Sequence, residues 1–282
     1  MTKKDDRKSV FRSASQDVQA VEKSPSTPQT EHPAYRLAFH DHEFIKREEL
    51  RPVRLQLELH KIELMMLDEG IESTVVMFGG ARIPRPEDAA NARTPALGAL
   101  SHYYDEGRRF AAMCTAESMK TGGKRKVVVT GGGPGAMEAG NRGAHEAGGR
   151  SIGLGIVLPF ESVPNPYVTP ELSFNFHYFA IRKMHFLMRA EAVTAFPGGF
   201  GTLDELFETL TLIQTGRMDP VPVLLFGKEF WKSIVNWDAL LESGTIGAND
   251  LELFRFVDTA EEAWEAMTNW QHTWDPIPRT EK

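Results

Sequence analysis

Residues 197 to 205 read PGGFGTLDE: three glycines in four positions, then a threonine and two acids, at the start of a helical run. Glycines at a helix start leave backbone N–H groups uncovered, and these groups together with the helix dipole hold anions. Thr202 and Glu205 also fit a capping box, in which Glu205 only reaches back to the Thr202 N–H. Carboxylates repel the anion that the same helix end would hold, so an acid placed there implies a task and a nearby cation. Arg182 and Lys183 are the candidate cations. They interrupt FNFHYFAIRKMHFLMRAEAV, residues 174 to 193, which reads as an apolar helix running into a strand. Arg182 and Phe186 are i, i+4 neighbours on one face. Arg182 either snorkels from that face to water or meets a partner.

The elements that must position these residues alternate. Short apolar runs stand at 74–78 (TVVMF), 126–130 (KVVVT), 152–157 (IGLGIV), 192–196 (AVTAF) and 221–226 (VPVLLF), with a further short strand possible at 254–257. Helical patterns lie between them near 93–118, 135–148, 178–190 and 201–215, and close the chain near 228–242 and 260–270. Strands that are apolar throughout, rather than alternating, are covered on both faces and parallel. The expected fold is therefore α/β, a Rossmann-like doubly wound parallel sheet. In such sheets ligands bind beyond the C-terminal strand ends. The residues there read GGARIP, GGGPGAMEAGN, LPFE and PGGFGTLDE, and three of these four stretches are glycine-rich. One glycine at such a turn need only supply a positive φ. Three bare loops converging on one sheet edge point to a phosphorylated ligand.

GGGPGA aligns with the dinucleotide fingerprint G-x-G-x-x-A through Gly131, Gly133 and Ala136. That reading needs an acid about 20 residues on to hold the ribose hydroxyls. Residues 150 to 153 include none, and Glu161 comes too late. A mononucleotide is favoured over NAD.

The first 38 residues include SPSTPQTEHP and read as an unstructured arm, followed by a helical extension over 39–70 and a single domain that closes at 282. Within the extension a helix starting at Pro52 carries Leu55, Leu59, Ile62 and Met66 on one face, with Gly70 as its C-cap. A net charge of −7 argues against nucleic acid as a partner. No apolar run is long enough to cross a membrane, the N-terminus lacks the apolar core of a signal peptide, and Cys114 is the one cysteine. A cytoplasmic location is expected. Cys114 sits in a helical pattern with nothing nearby to lower its pKa, and reads as a buried structural thiol. His177 and His185 are two turns apart with no completing ligand, so no metal is assigned.

Taken together, the motifs resemble the Lonely Guy family. PGGFGTLDE matches that family's PGGxGTxxE, GGGPGAME is similar to its first glycine motif, Arg182-Lys183 resembles its Arg-Lys pair, and FGGAR looks like its first-strand loop. The likeness spans roughly residues 70 to 270. It implies a phosphoribohydrolase that cleaves cytokinin riboside 5′-monophosphates or AMP without a cofactor, as a homodimer or larger homo-oligomer. Carried over by motif position, Arg182 and Glu205 form the catalytic pair. Gly198, Gly199, Gly201 and Thr202 bind the phosphate, helped by Gly80, Gly131, Gly132, Gly133 and Lys183. In this assignment Arg182 orients Glu205 and lowers its pKa. Two features depart from the family: GGAR replaces a Gly-Ser-Ser type turn, and the N-terminal extension is long. Three alternatives use the same loops: a nucleotide sensor without turnover, an NAD enzyme, and a pyridoxal-phosphate decarboxylase. The last would need Lys183, the only lysine near the motifs, as its Schiff base.

Overall fold

The computed structural model describes residues 10–159 and 163–271; Glu161 lies outside them. The chain divides into two compact units, Met1–Asp68 and Glu69–Lys282. In the first unit, α1 (Ala14–Glu22) lies within the stretch expected to be unstructured. Its helicity is local: Ser13 and Gln16 form a reciprocal capping box, and the helix has no buried residue. Helix α2 (Arg51–Asp68) has Pro52 in its first turn, where a missing N–H costs nothing, and its buried residues are Ile62 and Met66.

The second unit is built on one sheet of seven strands: β1 (Thr74–Phe78), β2 (Val127–Thr130), β3 (Ser151–Ile156), β4 (Ser173–Phe176), β5 (Ala190–Ala195), β6 (Val223–Phe226) and β7 (Arg255–Val257). Their spatial order is β4-β3-β2-β1-β5-β6-β7, and every pairing is parallel. The central strands are sealed on both faces, with Val75, Val76, Val128, Val129, Val193, Leu224 and Leu225 inaccessible to solvent. Full burial of each such side chain contributes about 1.5–3 kcal/mol. Two-sided cover explains why these strands read as continuous apolar runs.

Helices α3 (His102–Met119), α4 (Ala136–Glu146), α5 (Phe179–Leu187), α6 (Phe200–Gln214), α7 (Lys228–Ile234), α8 (Trp237–Glu242) and α9 (Ala260–Thr268) complete the layers. Three elements differ from the sequence expectation. The single helix expected near 93–118 is a short helix, Pro95–Ala99, capped by Thr94, followed by α3. SFNF is a strand, not helix: β4 is an edge strand with alternating exposed and buried residues, so it lacks the all-apolar pattern of its neighbours. The single helix expected over 228–242 is two helices. Asn236 accepts from the Ala239 N–H at 3.0 Å and starts α8 afresh.

After β1 the chain builds outward through β2, β3 and β4, then returns to place β5 on the other side of β1. The reversal between β1 and β5 is the topological switch point, and the loops after those two strands flank its crevice.

Candidate active site

Three of the glycine loops meet at that point. The Gly80 N–H donates to Pro197 O at 3.0 Å, and the Ala136 N–H donates to Gly80 O at 3.2 Å. The loops after β1, β2 and β5 are thus stitched together by backbone bonds. A Cβ at Gly80 would lie 2.9 Å from Pro197 O and 3.2 Å from Gly198 Cα, so the close approach requires glycine.

The β2 loop is held from beneath. Gly132 adopts φ +75°, and its N–H donates to Thr130 Oγ1 at 2.9 Å. The carbonyls of Gly132 and Gly133 accept from Asn165 Nδ2 at 3.1 and 3.0 Å. Asn165 Nδ2 also donates to Asn141 Oδ1 at 2.9 Å, an oxygen that accepts from Thr130 Oγ1 at 2.7 Å. Asn141 Nδ2 reaches Ser151 Oγ at 3.0 Å. Asn141, Asn165 and Thr130 are all buried. A buried polar network with its members satisfied fixes one geometry.

The β5 loop is bare. Helix α6 begins at Phe200 with Gly199 as its N-cap, and no side chain caps it. Thr202 therefore lies inside the first turn, and the capping box with Glu205 is not what starts this helix. A Cβ at Gly199 or Gly201 would meet nothing within 4 Å. The uncapped N–H groups of the first turn thus adjoin open space, the arrangement that binds anions.

Beside this helix end, Arg182 Nη1 lies 3.3 Å from Glu205 Oε1, with only 11% and 13% of the two side chains exposed. Arg182 on α5 is fixed on two further sides. Its Nε donates to Leu154 O at 2.7 Å, and its guanidinium carbon sits 5.1 Å from the Phe186 ring centroid. A Cβ at Gly131 would come within 2.6 Å of Arg182 Nη2, so the first glycine of the β2 loop makes room for the guanidinium.

Burial pushes the Glu205 carboxyl up to about 7, against the pull of Arg182 and Lys183 and with help from Asp204 and Glu208. The expectation that Arg182 leaves Glu205 with a lowered pKa is corrected: the arginine acts in that direction, but desolvation is larger. Lys183 Nζ sits 2.8 Å from both Asp204 and Glu208. Burial opposes its charge, yet the two carboxylates raise its pKa overall. It is an ammonium group tying α5 to α6, a poor start for a Schiff base, which needs the neutral amine.

Sequence reasoning passed over a second buried cluster. Glu138, in the first turn of α4, accepts from Arg85 Nε at 2.8 Å and from the Tyr104 hydroxyl at 2.6 Å. Burial is the main cause that lifts the Tyr104 phenol to about 12. The three residues border a cavity of about 470 Å³ that also touches Pro134 and Gly135. The signal was present as an acid inside GGGPGAME, but its partners come from far along the chain. Asn165 was missed for the same reason. Cys114 is fully buried and burial pushes its thiol up, as suits a structural residue. Among the described residues, no group of three or more His, Cys, Asp or Glu could hold a metal ion. No described helix is long and apolar enough to cross a membrane.

A family model described as "Possible lysine decarboxylase" matches residues 137–267, a span that includes Arg182, Lys183 and Glu205. Cytokinin riboside 5′-monophosphate phosphoribohydrolase LOG4 of Arabidopsis thaliana is 29% identical over 139 residues, 48% of this chain and 63% of that protein. The name of this relative agrees with the resemblance of the motifs to the Lonely Guy family. A bifunctional cytokinin biosynthesis protein of Fusarium pseudograminearum is 40% identical over 65 residues, 23% of this chain and 13% of that protein. The chain thus spans less than two thirds of the length of these curated relatives. Among solved structures, a molybdenum cofactor carrier protein from Chlamydomonas reinhardtii aligns at 18% identity with a TM-score of 0.45, covering 70% of this chain and 96% of that one.

Proposed function

We propose that this protein is a member of the Lonely Guy family and hydrolyses the N-glycosidic bond of a nucleoside 5′-monophosphate, AMP or an N6-modified adenine ribotide, to free base and ribose 5-phosphate. The observation that carries the reading is the buried Arg182–Glu205 pair, 3.3 Å apart, beside the uncapped start of α6.

The 5′-phosphate would occupy the N–H groups around Gly198, Gly199, Gly201 and Thr202, facing the loop of Gly131, Gly132 and Gly133 and the turn at Gly80. Holding this remote group positions C1′ and contributes to the rate through orientation. As the C1′–N bond breaks, its electron pair leaves with the base and the ribose becomes oxocarbenium-like. The Glu205 carboxylate stabilises that charge and orients a water, whose oxygen bonds to C1′ while its proton passes to the base. Arg182 holds Glu205 in place, and Lys183 keeps α5 and α6 in register. Because burial places the Glu205 pKa at about 7, the ionised, working form grows in as pH rises through that value.

The test is chromatography of AMP and adenosine incubated with the protein. Release of adenine and ribose 5-phosphate from AMP alone is expected. Equal rates on the two compounds would sink the role of the phosphate. Binding without cleavage of either AMP or a modified-adenine ribotide would leave a nucleotide sensor. We further place the protein as a homo-oligomer in the cytoplasm. Helix α5 and its C-cap leave Phe179, Met184 and Met188 about half exposed, an apolar strip that a second copy would cover. Light scattering that returned a monomer mass would remove the oligomer.

A further inference from the structure

A cavity of about 600 Å³ lies between the β7 edge of the sheet and the α7–α8 corner, and neither Arg182, Glu205 nor any glycine loop lines it. Its volume falls in the range of small-molecule sites, roughly 300–1,000 Å³. Its walls have two kinds of chemistry. One is aromatic: Trp237 packs against Phe254 with centroids 4.4 Å apart and the rings tilted by 39°, and Phe256 stands edge-on to Phe254 at 5.4 Å. The other is cationic: Lys228, Lys232 and Arg255 all line the cavity. Among the described residues none of the three forms an ion pair, and Asp238 is the one carboxylate on the walls. Three cations against one carboxylate leave a surplus of two positive charges.

Cations on an edge strand have a simpler use, since they keep the edge from pairing with another chain. That account covers Arg255 on β7. It does not cover Lys228 and Lys232, which belong to α7 and face the same space from the other side. Lys232 Nζ lies 6.0 Å from the Phe256 ring centroid, so charge and ring are presented together. The cavity wall also includes the Trp237 indole, whose buried N–H has no hydrogen-bond partner. Buried donors are rarely left unpaired, and an acceptor on a ligand would satisfy this one after a small shift.

We propose that this cavity is a second ligand site, separate from the nucleotide cradle, that takes a planar aromatic dianion such as an aryl phosphate. The flat ring packs against the part-exposed Phe256, with the edges of Trp237 and Phe254 beside it, and the charges meet Lys228, Lys232 and Arg255.

The test is calorimetric titration of the full chain with 1-naphthyl phosphate, with 1-naphthol and inorganic phosphate as the ring-only and charge-only probes. The aryl phosphate is expected to bind at one per chain in the presence of saturating ribose 5-phosphate, which has no ring. It should bind at least about tenfold tighter than either partial probe, the weight of one charge-assisted contact. Lys232→Ala and Arg255→Ala should each weaken it several-fold, and the two together with Lys228→Ala should abolish it, while Glu205→Gln leaves it unchanged. Displacement by ribose 5-phosphate, equal binding of the three probes, or undiminished binding to the triple variant would overturn the proposal. These outcomes are independent of whether AMP is cleaved.

Discussion

The β2 and β5 loops are both glycine-rich and both lie at the switch point, yet they are built in opposite ways. In the β2 loop, Asn165 and Asn141 satisfy the turn from below, and Gly131 is hemmed in by Arg182 and Met137. In the β5 loop, Gly199 and Gly201 have no neighbour that a side chain would touch, and Phe200 between them is 92% exposed. Glycine is used in the first to let protein atoms approach, and in the second to keep the helix end open. Similar composition therefore marks a scaffold in one place and a receptor in the other.

Substitutions can break that contrast. The largest effect is expected for Glu205→Gln, which keeps the shape but loses the charge; turnover of AMP should fall about 10²–10⁴-fold with the fold intact by circular dichroism. Unchanged turnover would return Glu205 to a structural role. Gly131→Ala comes next. Its Cβ would meet Arg182 Nη2 at 2.6 Å and Met137 Sδ at 2.8 Å, the ends of flexible side chains that can move aside. Stability should change little, while displacement of Arg182 should lower kcat up to about 10²-fold. A loss confined to KM would show that Gly131 serves the ligand and not the arginine.

The same carboxyl makes stability depend on pH. Its pKa rises on folding from an ordinary 4.5 to about 7, so its contribution is full below 4.5 and is lost as pH climbs through 7. The loss is on the order of 3 kcal/mol. Urea titrations should therefore find Glu205→Gln more stable than the parent at pH 8 and no more stable at pH 4. Asn165→Ala should cost about 1–3 kcal/mol, since it takes the donor from the buried Gly133 carbonyl. Gly199→Ala is the mildest: its φ of −98° suits alanine, and stability should stay within about 0.5 kcal/mol. KM for AMP should nevertheless rise, because the methyl group would enter the open space. If Gly199→Ala destabilised as much as Asn165→Ala, the two loops would not differ in kind.

The central strands were legible because burial on both faces leaves a run such as VVV nowhere else to go. The pairing of Arg182 with Glu205 was legible because a charge in an apolar helix and an acid at a bare helix start each call for a partner. Strand β4 was hidden by its place at the edge, where half its side chains face solvent. The break between α7 and α8 turned on Asn236, whose cap competes with continued helix. Asn165 and Glu138 were out of reach for another reason: local pattern carries no record of which distant residues a fold will bring beneath a loop. The direction of the Glu205 shift was also misjudged, because the partner could be read from the sequence but the depth of burial could not.

The strand order also sets a timetable for assembly. Arg182 and Glu205 are 23 residues apart in sequence, so a short closure brings them together. The Gly80–Pro197 bond and the bond from the Phe196 N–H to Phe78 O instead join segments separated by three intervening strands. Contacts that close long loops form late, since their entropy must be lost before they return any energy. On this basis the reacting pair and the bare start of α6 should form before the loops after β1 and β2 close around the phosphate site. Pulse-labelled hydrogen exchange would date the two events: protection of the Phe196 amide should follow that of the Leu203 amide inside α6.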